Sequence, residues 1–419
     1  MKTYRLLIVM AMLLPMFSVA ASAQNGESSP YSMFGYGSLS DYTSGAQRAM
    51  GGVGYATNNG RQINVKNPAS YAHCDSLTFL LDFGLDFTAL KMTENGNSGT
   101  SFGGGLDYVT MQFPLSKTVG GSIGLIPYSS VGYSFGSSSD GEGDSRGGSG
   151  GINMLYLGLS YMPFKNFSIG ANVSYNFGTI THDTYAASTV GGASVQSLYE
   201  RELEIRDWGI QLGAQYTIDL NEHNSLTLGF VYIPKKSLRG TALARQYDVQ
   251  NDATSAIDTV SNVSMKDRFS TPASYGGGLA WNFDNRLTVA ADFTYQNWAD
   301  AKYDNLANFE NMAFDNRWKV AAGASYTPNV RGNYFQRMTY RVGGHFNHDY
   351  IMARGNNVRD YGVSLGFGLP TPSSKTVINI GFEYKHRAAY PANLISENYF
   401  NITVGINFNE MWFWQNKIK

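Results

Sequence analysis

From Phe167 to Gly178 the chain alternates residue by residue, with Phe167, Ile169, Ala171, Val173, Tyr175 and Phe177 on one face and Ser168, Gly170, Asn172, Ser174, Asn176 and Gly178 on the other. A period of two is the period of a strand, since successive side chains point to opposite faces. The same split returns at Trp208, Ile210, Leu212, Ala214, Tyr216 and Ile218 against Asp207, Gly209, Gln211, Gly213, Gln215 and Thr217. It returns again at Phe400, Ile402, Val404, Ile406 and Phe408 against Asn401, Thr403, Gly405 and Asn407. One face is uniformly greasy and the other small or polar, so the chain builds sheets with one apolar side.

A soluble sandwich also alternates, and three further features decide against it. The segments run on the order of ten or more residues, which suits a tilted membrane crossing better than the usual five or six of a soluble sheet. Aromatics gather near strand ends, as with Tyr295 and Trp298, Trp281 and Phe283, and Trp412, Phe413 and Trp414, where a lipid interface favours them. Connection lengths supply the third. Strands are expected near 77–90, 103–113, 119–135, 151–163, 167–180, 203–219, 225–237, 272–283, 287–298, 316–327, 337–349, 359–370, 376–387 and 398–408. The gaps alternate long and short, the longest being 238–271, and the one turn on the short side that is not tight is 328–336. Fourteen is an even number, and long loops on one side with tight turns on the other mark an all-β, fourteen-stranded antiparallel transmembrane barrel with both termini on the periplasmic side. Closure removes the edges that lipid cannot hydrogen-bond.

Composition agrees. The 419 residues include 47 Gly, 28 Tyr and 24 Phe against 15% charged residues, and the net charge of −1 gives no footprint for nucleic acid. Residues 1–23 read as an export signal: Lys2 and Arg5, an apolar run from Leu6 to Leu14, then Ala21-Ser22-Ala23 before Gln24. No cysteine stands directly after that site, which argues against a lipoprotein anchor, and the sole cysteine, Cys74, reads as a small buried side chain near the barrel entry. No later apolar run is long enough for a membrane helix.

A barrel of this size needs a plug or a selective lining. Residues 24–76 supply one: Gly- and Ser-rich, with a helix-compatible piece at Ala46 to Met50, they carry Tyr31, Phe34, Tyr36, Tyr42 and Tyr55, too many aromatics for a disordered tail. "GGVGYATNNG" lacks the third glycine, preceding strand and βαβ unit of a nucleotide loop. The barrel is then 77–408, followed by a periplasmic or interfacial tail, 409–419.

The segment "GAQRAMGGVGYATNNG", followed by "NPASYA" and a long aromatic strand, resembles the N-terminal plug of the FadL-type outer-membrane transporters of hydrophobic compounds, the OMPP1/FadL/TodX-like family. Their plug ends in an Asn-Pro-Ala motif, matched by Asn67, Pro68 and Ala69. "TPASYGGGLAW", "LTVAADFTYQNW", "RWKVAAGASY" and "MTYRVGGHFN" resemble the family's strands in the same order. The resemblance implies fourteen strands, outer-membrane residence and passive uptake of hydrophobic compounds such as long-chain fatty acids. The eleven residues beyond Phe408 depart from barrels that stop at a terminal aromatic.

The third strand, "GGSIGLIPYSSVGYSF", holds Gly124, Pro127 and Gly132. Proline removes a ladder donor and glycine weakens a strand, so a kink or gap is expected there. The family resemblance implies a lateral exit into the bilayer at this place, and a simple bulge is the alternative. Asp82, Asp86, Asp207, Asp292, Lys319, Arg341, Glu383 and Lys385 fall on lumen faces. Mixed signs inside a barrel pair with one another and brace it, while an acid-headed ligand would look to Lys319, Arg341 or Lys385. His345 and His348 are three apart and so on opposite faces of a strand, which denies them a shared metal. Neither a G-x-S-x-G elbow nor paired cysteines occur, so no enzyme, cofactor or metal site is expected. Expected partners are outer-membrane lipids, a hydrophobic small molecule and other outer-membrane proteins, with no nucleic acid. The competing reading is a barrel that does not transport and serves as a subunit of an outer-membrane secretion or barrel-assembly complex, using the 238–271 loop and the tail as its partner surface.

Overall fold

The structure, a computed structural model, describes residues 28–411 apart from 140–141, 191–192, 251–252, 307–311 and 372–374. The expected signal at 1–23 and the tail beyond Met411, including Trp412, Phe413 and Trp414, lie outside the described residues.

Fourteen antiparallel strands close on themselves. They are β1 (Thr78–Glu94), β2 (Asn97–Pro114), β3 (Val119–Ser139), β4 (Glu142–Phe164), β5 (Phe167–Val190), β6 (Ala193–Asp219), β7 (Asn224–Ile233), β8 (Ser274–Phe283), β9 (Leu287–Gln296), β10 (Arg317–Tyr326), β11 (Thr339–Ala353), β12 (Asn356–Pro370), β13 (Val377–Tyr390) and β14 (Ser396–Met411). Closure runs through β14 against β1, where Met411 faces Thr78 and Gly405 faces Gly84. The alternation has its expected cause: Ile169, Val173, Trp208, Ile210 and Leu212 are exposed on the outside, where lipid takes the place of water, while Ser168, Asn172 and Asp207 are buried inside.

Several boundaries differ from the sequence expectation. The stretches read as long loops at 91–102, 136–150 and 181–202 are mostly strand, because β1 through β6 run past the bilayer and pair above it. At about 3.3 Å per residue, the 27 residues of β6 reach roughly 90 Å along the strand, far more than a tilted crossing needs. The 238–271 loop is no open loop either: Gly240–Gln250 and Ala253–Ser264 form a ribbon that adds to the outer half of β6, Gly240 facing Ile205. β7 ends at Ile233, short of 237, and β14 takes in Asn409, Glu410 and Met411, which had been assigned to the tail.

The lumen is filled. Residues 28–76 lie inside, with a 3-10 turn at Pro30–Met33, a short helix Gly45–Arg48 and a second 3-10 turn at Pro68–His73. Wall glycines seat this segment. A Cβ on Gly213 would stand 2.2 Å from Asn67 Oδ1, one on Gly170 2.5 Å from the Pro68 carbonyl carbon, and one on Gly343 2.1 Å from the Met50 carbonyl carbon. The small inward face of the strands is thus shaped to a chain running through the barrel. Toward the long-loop end an aromatic cluster fills the section: Trp298, expected at the lipid interface, is instead 1% exposed. It stacks on Tyr350 at 4.3 Å and packs against Tyr36 and Phe314.

Candidate functional site: a wall seam and the cavity behind it

The β2–β3 ladder is short. It pairs Val109–Pro114 with Gly120–Leu125 and, among the described residues, goes no further, although both strands continue. The reason lies in β3. Beyond Ile126 the strand is bulged against β4 between Pro127 and Ser129, and Ile126, Ser129, Val131 and Gly132 are all buried. Burial on both faces means that β3 has left the wall and turned inward. A proline with no N–H to donate starts the turn.

Its neighbours bend with it. Ser129 faces the Gly151 region of β4, and a Cβ on Gly151 would meet the Ser129 carbonyl oxygen at 2.4 Å. Gly178 of β5 would meet the Gly151 oxygen at 2.0 Å, and Gly240, across Ile205, would meet the Glu204 oxygen at 2.0 Å. Gly150, Gly151, Gly178 and Gly240 all have positive φ, from 103° to 158°, which glycine adopts without strain. Of the three residues singled out by sequence, Pro127 sits at the break. Gly124 lies in the paired section opposite Thr110, and Gly132 exchanges hydrogen bonds with Ser32 of the lumenal segment. Gly151 and Gly178 were missed, since nothing in a glycine-rich strand singles out the residues on one bend line.

The lumenal segment reaches into the break. Ser38 and Leu39 pair with Ser130 and Ser129 as a two-residue strand, and Ser40 N–H donates to the Tyr128 oxygen at 2.9 Å. Behind the seam lies a cavity of about 350 Å³. Gly103–Gly105 of β2 and Ile126–Pro127 of β3 border it, and charged groups line its floor.

Most of those charges pair. Asp41 takes both Lys319 (2.6 Å) and Arg317 (2.8 Å), Arg48 meets Asp107 at 2.6 Å, and Arg387 meets Asp349 at 2.6 Å. His345 contacts Asp360 at 3.2 Å and Glu383 at 3.6 Å. Asp41 belongs to the lumenal segment. Burial alone would raise its carboxyl, but Lys319 and Arg317 hold it well below the usual carboxylate range. Of the expected lumenal residues, Asp86, Lys319, Glu383 and Lys385 come together at this cavity. Lys385 places its ammonium 4.1 Å from the Tyr399 ring centre.

The other four lie apart from it. Asp292 holds Lys66 at 3.0 Å and accepts from the Gly54 and Tyr55 amides. Asp82 accepts from Tyr108, whose hydroxyl in turn receives the Gly45 amide. Arg341 donates to Asn379 at 2.9 Å, and Asp207 meets Lys236 at 2.7 Å. Strand parity pointed to these positions. Asp41 and Arg48 had no such signal, because their partners, Arg317 and Lys319 for the first and Asp107 for the second, come from strands distant in sequence.

The motif Asn67-Pro68-Ala69 is buried at the far wall. Asn67 Oδ1 accepts from the Ala69 amide at 3.0 Å, its Nδ2 donates to the Tyr55 oxygen at 2.7 Å, and Ser160 Oγ donates to the Ala69 oxygen at 2.8 Å. Cys74 is half-buried, and burial pushes its thiol up to about 11, away from nucleophilic character. His345 faces the lumen, whereas His348 stacks on the outward Trp318 and contacts Asp315.

A closed fourteen-stranded barrel, apolar outside, filled by its N-terminal segment and parted beside β3, has the fold of the FadL-type outer-membrane barrels. Solved structures agree in fold. A Pseudomonas aeruginosa FadL homologue superposes with a TM-score of 0.64 at 13% identity over 90% of this chain and 99% of that one. The Pseudomonas putida toluene transporter TodX gives 0.63 at 18% over 90% and 100%, and the Ralstonia pickettii toluene transporter TbuX gives 0.58 at 16% over 88% and 98%. The chain belongs to the BamG family, whose model matches residues 4–419. No curated protein matches it in sequence.

Proposed function

We propose that the protein is an outer-membrane channel for passive passage of hydrophobic compounds, long-chain fatty acids among them, with movement of the lumenal segment and lateral release at β3. The observation that carries this reading is the end of the β2–β3 ladder at Val109–Leu125 with a cavity directly behind it. A gap in a barrel wall leaves backbone groups unpaired in lipid, a cost a barrel bears only where the gap has a use. The solved neighbours named as toluene transporters support the substrate class.

The test closes the seam. Cysteines at Gly105 and Ser129, both bordering the cavity, are bridged by a reducible thiol cross-linker in a Cys74→Ala background. Uptake of labelled toluene and oleate by cells is expected to fall to the level of cells without the protein and to return on reduction. Uptake that ignores the bridge overturns the reading.

A second reading, a non-transporting subunit of an outer-membrane secretion or barrel-assembly complex, is favoured by the filled lumen. Trp298, Tyr36 and Tyr350 are at most 1% exposed and pack together across the lumen at the long-loop end. Membership of the BamG family is consistent with it. It predicts stoichiometric outer-membrane proteins in a mild detergent extract and no uptake at all.

A further inference from the structure

The cavity behind the seam is lined by charged groups as well as apolar ones. A hydrocarbon resting on the charged part would desolvate carboxylates and cations and give them nothing in return. What the lining suits is a molecule that is itself charged. Access points to its source: toward the long loops the buried Trp298 and Tyr350 stack packs across the section, while the β2 side of the cavity is the side-chain-free run Gly103–Gly105 at the seam.

The sign of the charges narrows the ligand. Arg317, Lys319, Arg48 and Arg387 each have a carboxylate within 2.8 Å, whereas Lys385 has no ion pair within 4 Å among the described residues and rests on the Tyr399 ring. Beside it on the same inward face of β13 is Glu383, which also borders the cavity and is touched by His345 and Asn401. A bare anion would find Lys385 but also this carboxylate. A bare cation would find the carboxylate but also Lys385. A zwitterion with phosphate and amine a few bonds apart satisfies both.

We infer that the cavity binds the zwitterionic phosphoamine headgroup of a membrane phospholipid entering through the β2–β3 seam, with phosphate on Lys385, amine toward Glu383, and acyl chains left in the bilayer. This rests on the lateral-passage reading for its route alone; binding is measured without transport.

The full-length protein is extracted in mild detergent, offered phosphatidylethanolamine, phosphatidylglycerol or water-soluble glycerophosphoethanolamine, and analysed by native mass spectrometry. One phosphatidylethanolamine is expected to remain bound in preference to phosphatidylglycerol, and Lys385→Met is expected to weaken its retention by about tenfold, the loss of one charge-assisted contact. Lys385→Arg is expected to keep it, and Lys165→Met, in an exposed turn, to leave it unchanged. Heat-modified migration on gels verifies that each barrel is folded. Equal retention of phosphatidylglycerol, or retention indifferent to Lys385→Met in a folded barrel, overturns the inference. Competition by glycerophosphoethanolamine as strong as by the lipid assigns the site to a soluble headgroup and overturns its membrane source. Loss of uptake in the seam-bridged protein with lipid retention intact, or the reverse, separates the two proposals.

Discussion

Lys66 of the lumenal segment holds its ammonium 3.0 Å from the Asp292 carboxylate of β9, and both side chains are at most 6% exposed. Lys66 also donates to the Gly52 oxygen at 2.6 Å, while Asp292 accepts the Gly54 and Tyr55 amides. One carboxylate therefore fixes three contacts of the segment, from Gly54, Tyr55 and Lys66, to the wall. Removing one partner of a buried pair strands the other, a loss of about 3–5 kcal/mol. Lys66→Met is expected to release residues 44–66 to protease added from the short-turn side while the barrel still inserts and shows heat-modified migration. The double variant Lys66→Met/Asp292→Leu is expected to recover part of the protection. Full protection in the single variant would show that the pair does not hold the segment.

The seat of Asn67 and Pro68 makes a separate test. A Cβ on Gly213 would lie 2.2 Å from Asn67 Oδ1 and 2.9 Å from Pro68 Cδ, so Gly213→Ala forces the turn off the wall at about 1–3 kcal/mol. Pro68→Gly acts more gently, through the freedom it returns to the unfolded chain, about 0.4–1 kcal/mol. Hydrogen exchange across 63–76 is expected to speed up in both, more in Gly213→Ala, and to stay unchanged in the strands. An outward control, Leu212→Ala, is expected to leave the turn as it was.

How much of this was written in the chain locally follows from the range of the interactions. The fourteen strands were legible because a two-residue period and the lengths of intervening segments are local properties, as at Phe167 to Gly178. Pro127 was legible because proline acts on its own backbone. Trp298 was misread: three residues past Tyr295 it looks like an interfacial aromatic, yet Tyr350 and Tyr36, fifty and more residues away in sequence, draw it inside. The ribbon at 240–264 was read as loop because its strands pair with β6, a match visible only when Gly240 meets Ile205. The pairing of Asp41 with Lys319 across 278 residues is likewise a product of closure.

The charged cradle predicts a broad pH plateau. Asp41, held below the usual carboxylate range by Lys319 and Arg317 against the opposing effect of burial, contributes stability fully above about pH 4, the unfolded value, and loses it only as pH falls through its lower folded value. Burial alone would lower the Lys66 ammonium, but Asp292 holds it above its usual range. Its contribution is complete below about pH 10.4 and fades as pH rises through the raised value. Exchange protection of residues 41–66, corrected for intrinsic rate, is expected to be flat from about pH 5 to 9. A step centred near neutrality would assign control of the segment to another group.

Trp298 makes the last prediction, because it decides how the lumen is reached. Its ring stacks on Tyr350 at 4.3 Å, lies 5.8 Å from Tyr36 of the lumenal segment and meets Phe314 edge-on at 5.8 Å. Tyr350 in turn donates to the Gly37 oxygen at 2.6 Å, just before the Ser38–Leu39 strand in the seam. Trp298→Ala removes the centre of this lid, a truncation worth about 3–5 kcal/mol in a packed core. If the lid is what separates the cavity from the long-loop side, the variant is expected to admit a small polar thiol reagent to a cysteine placed at Gly103, where the parent protein excludes it. Phe335→Ala, at an exposed position on the opposite end, is the matched control and is expected to change nothing. Equal labelling of parent and variant would show that the cavity is already reached another way, and labelling only from a lipid-soluble reagent would place that way at the seam.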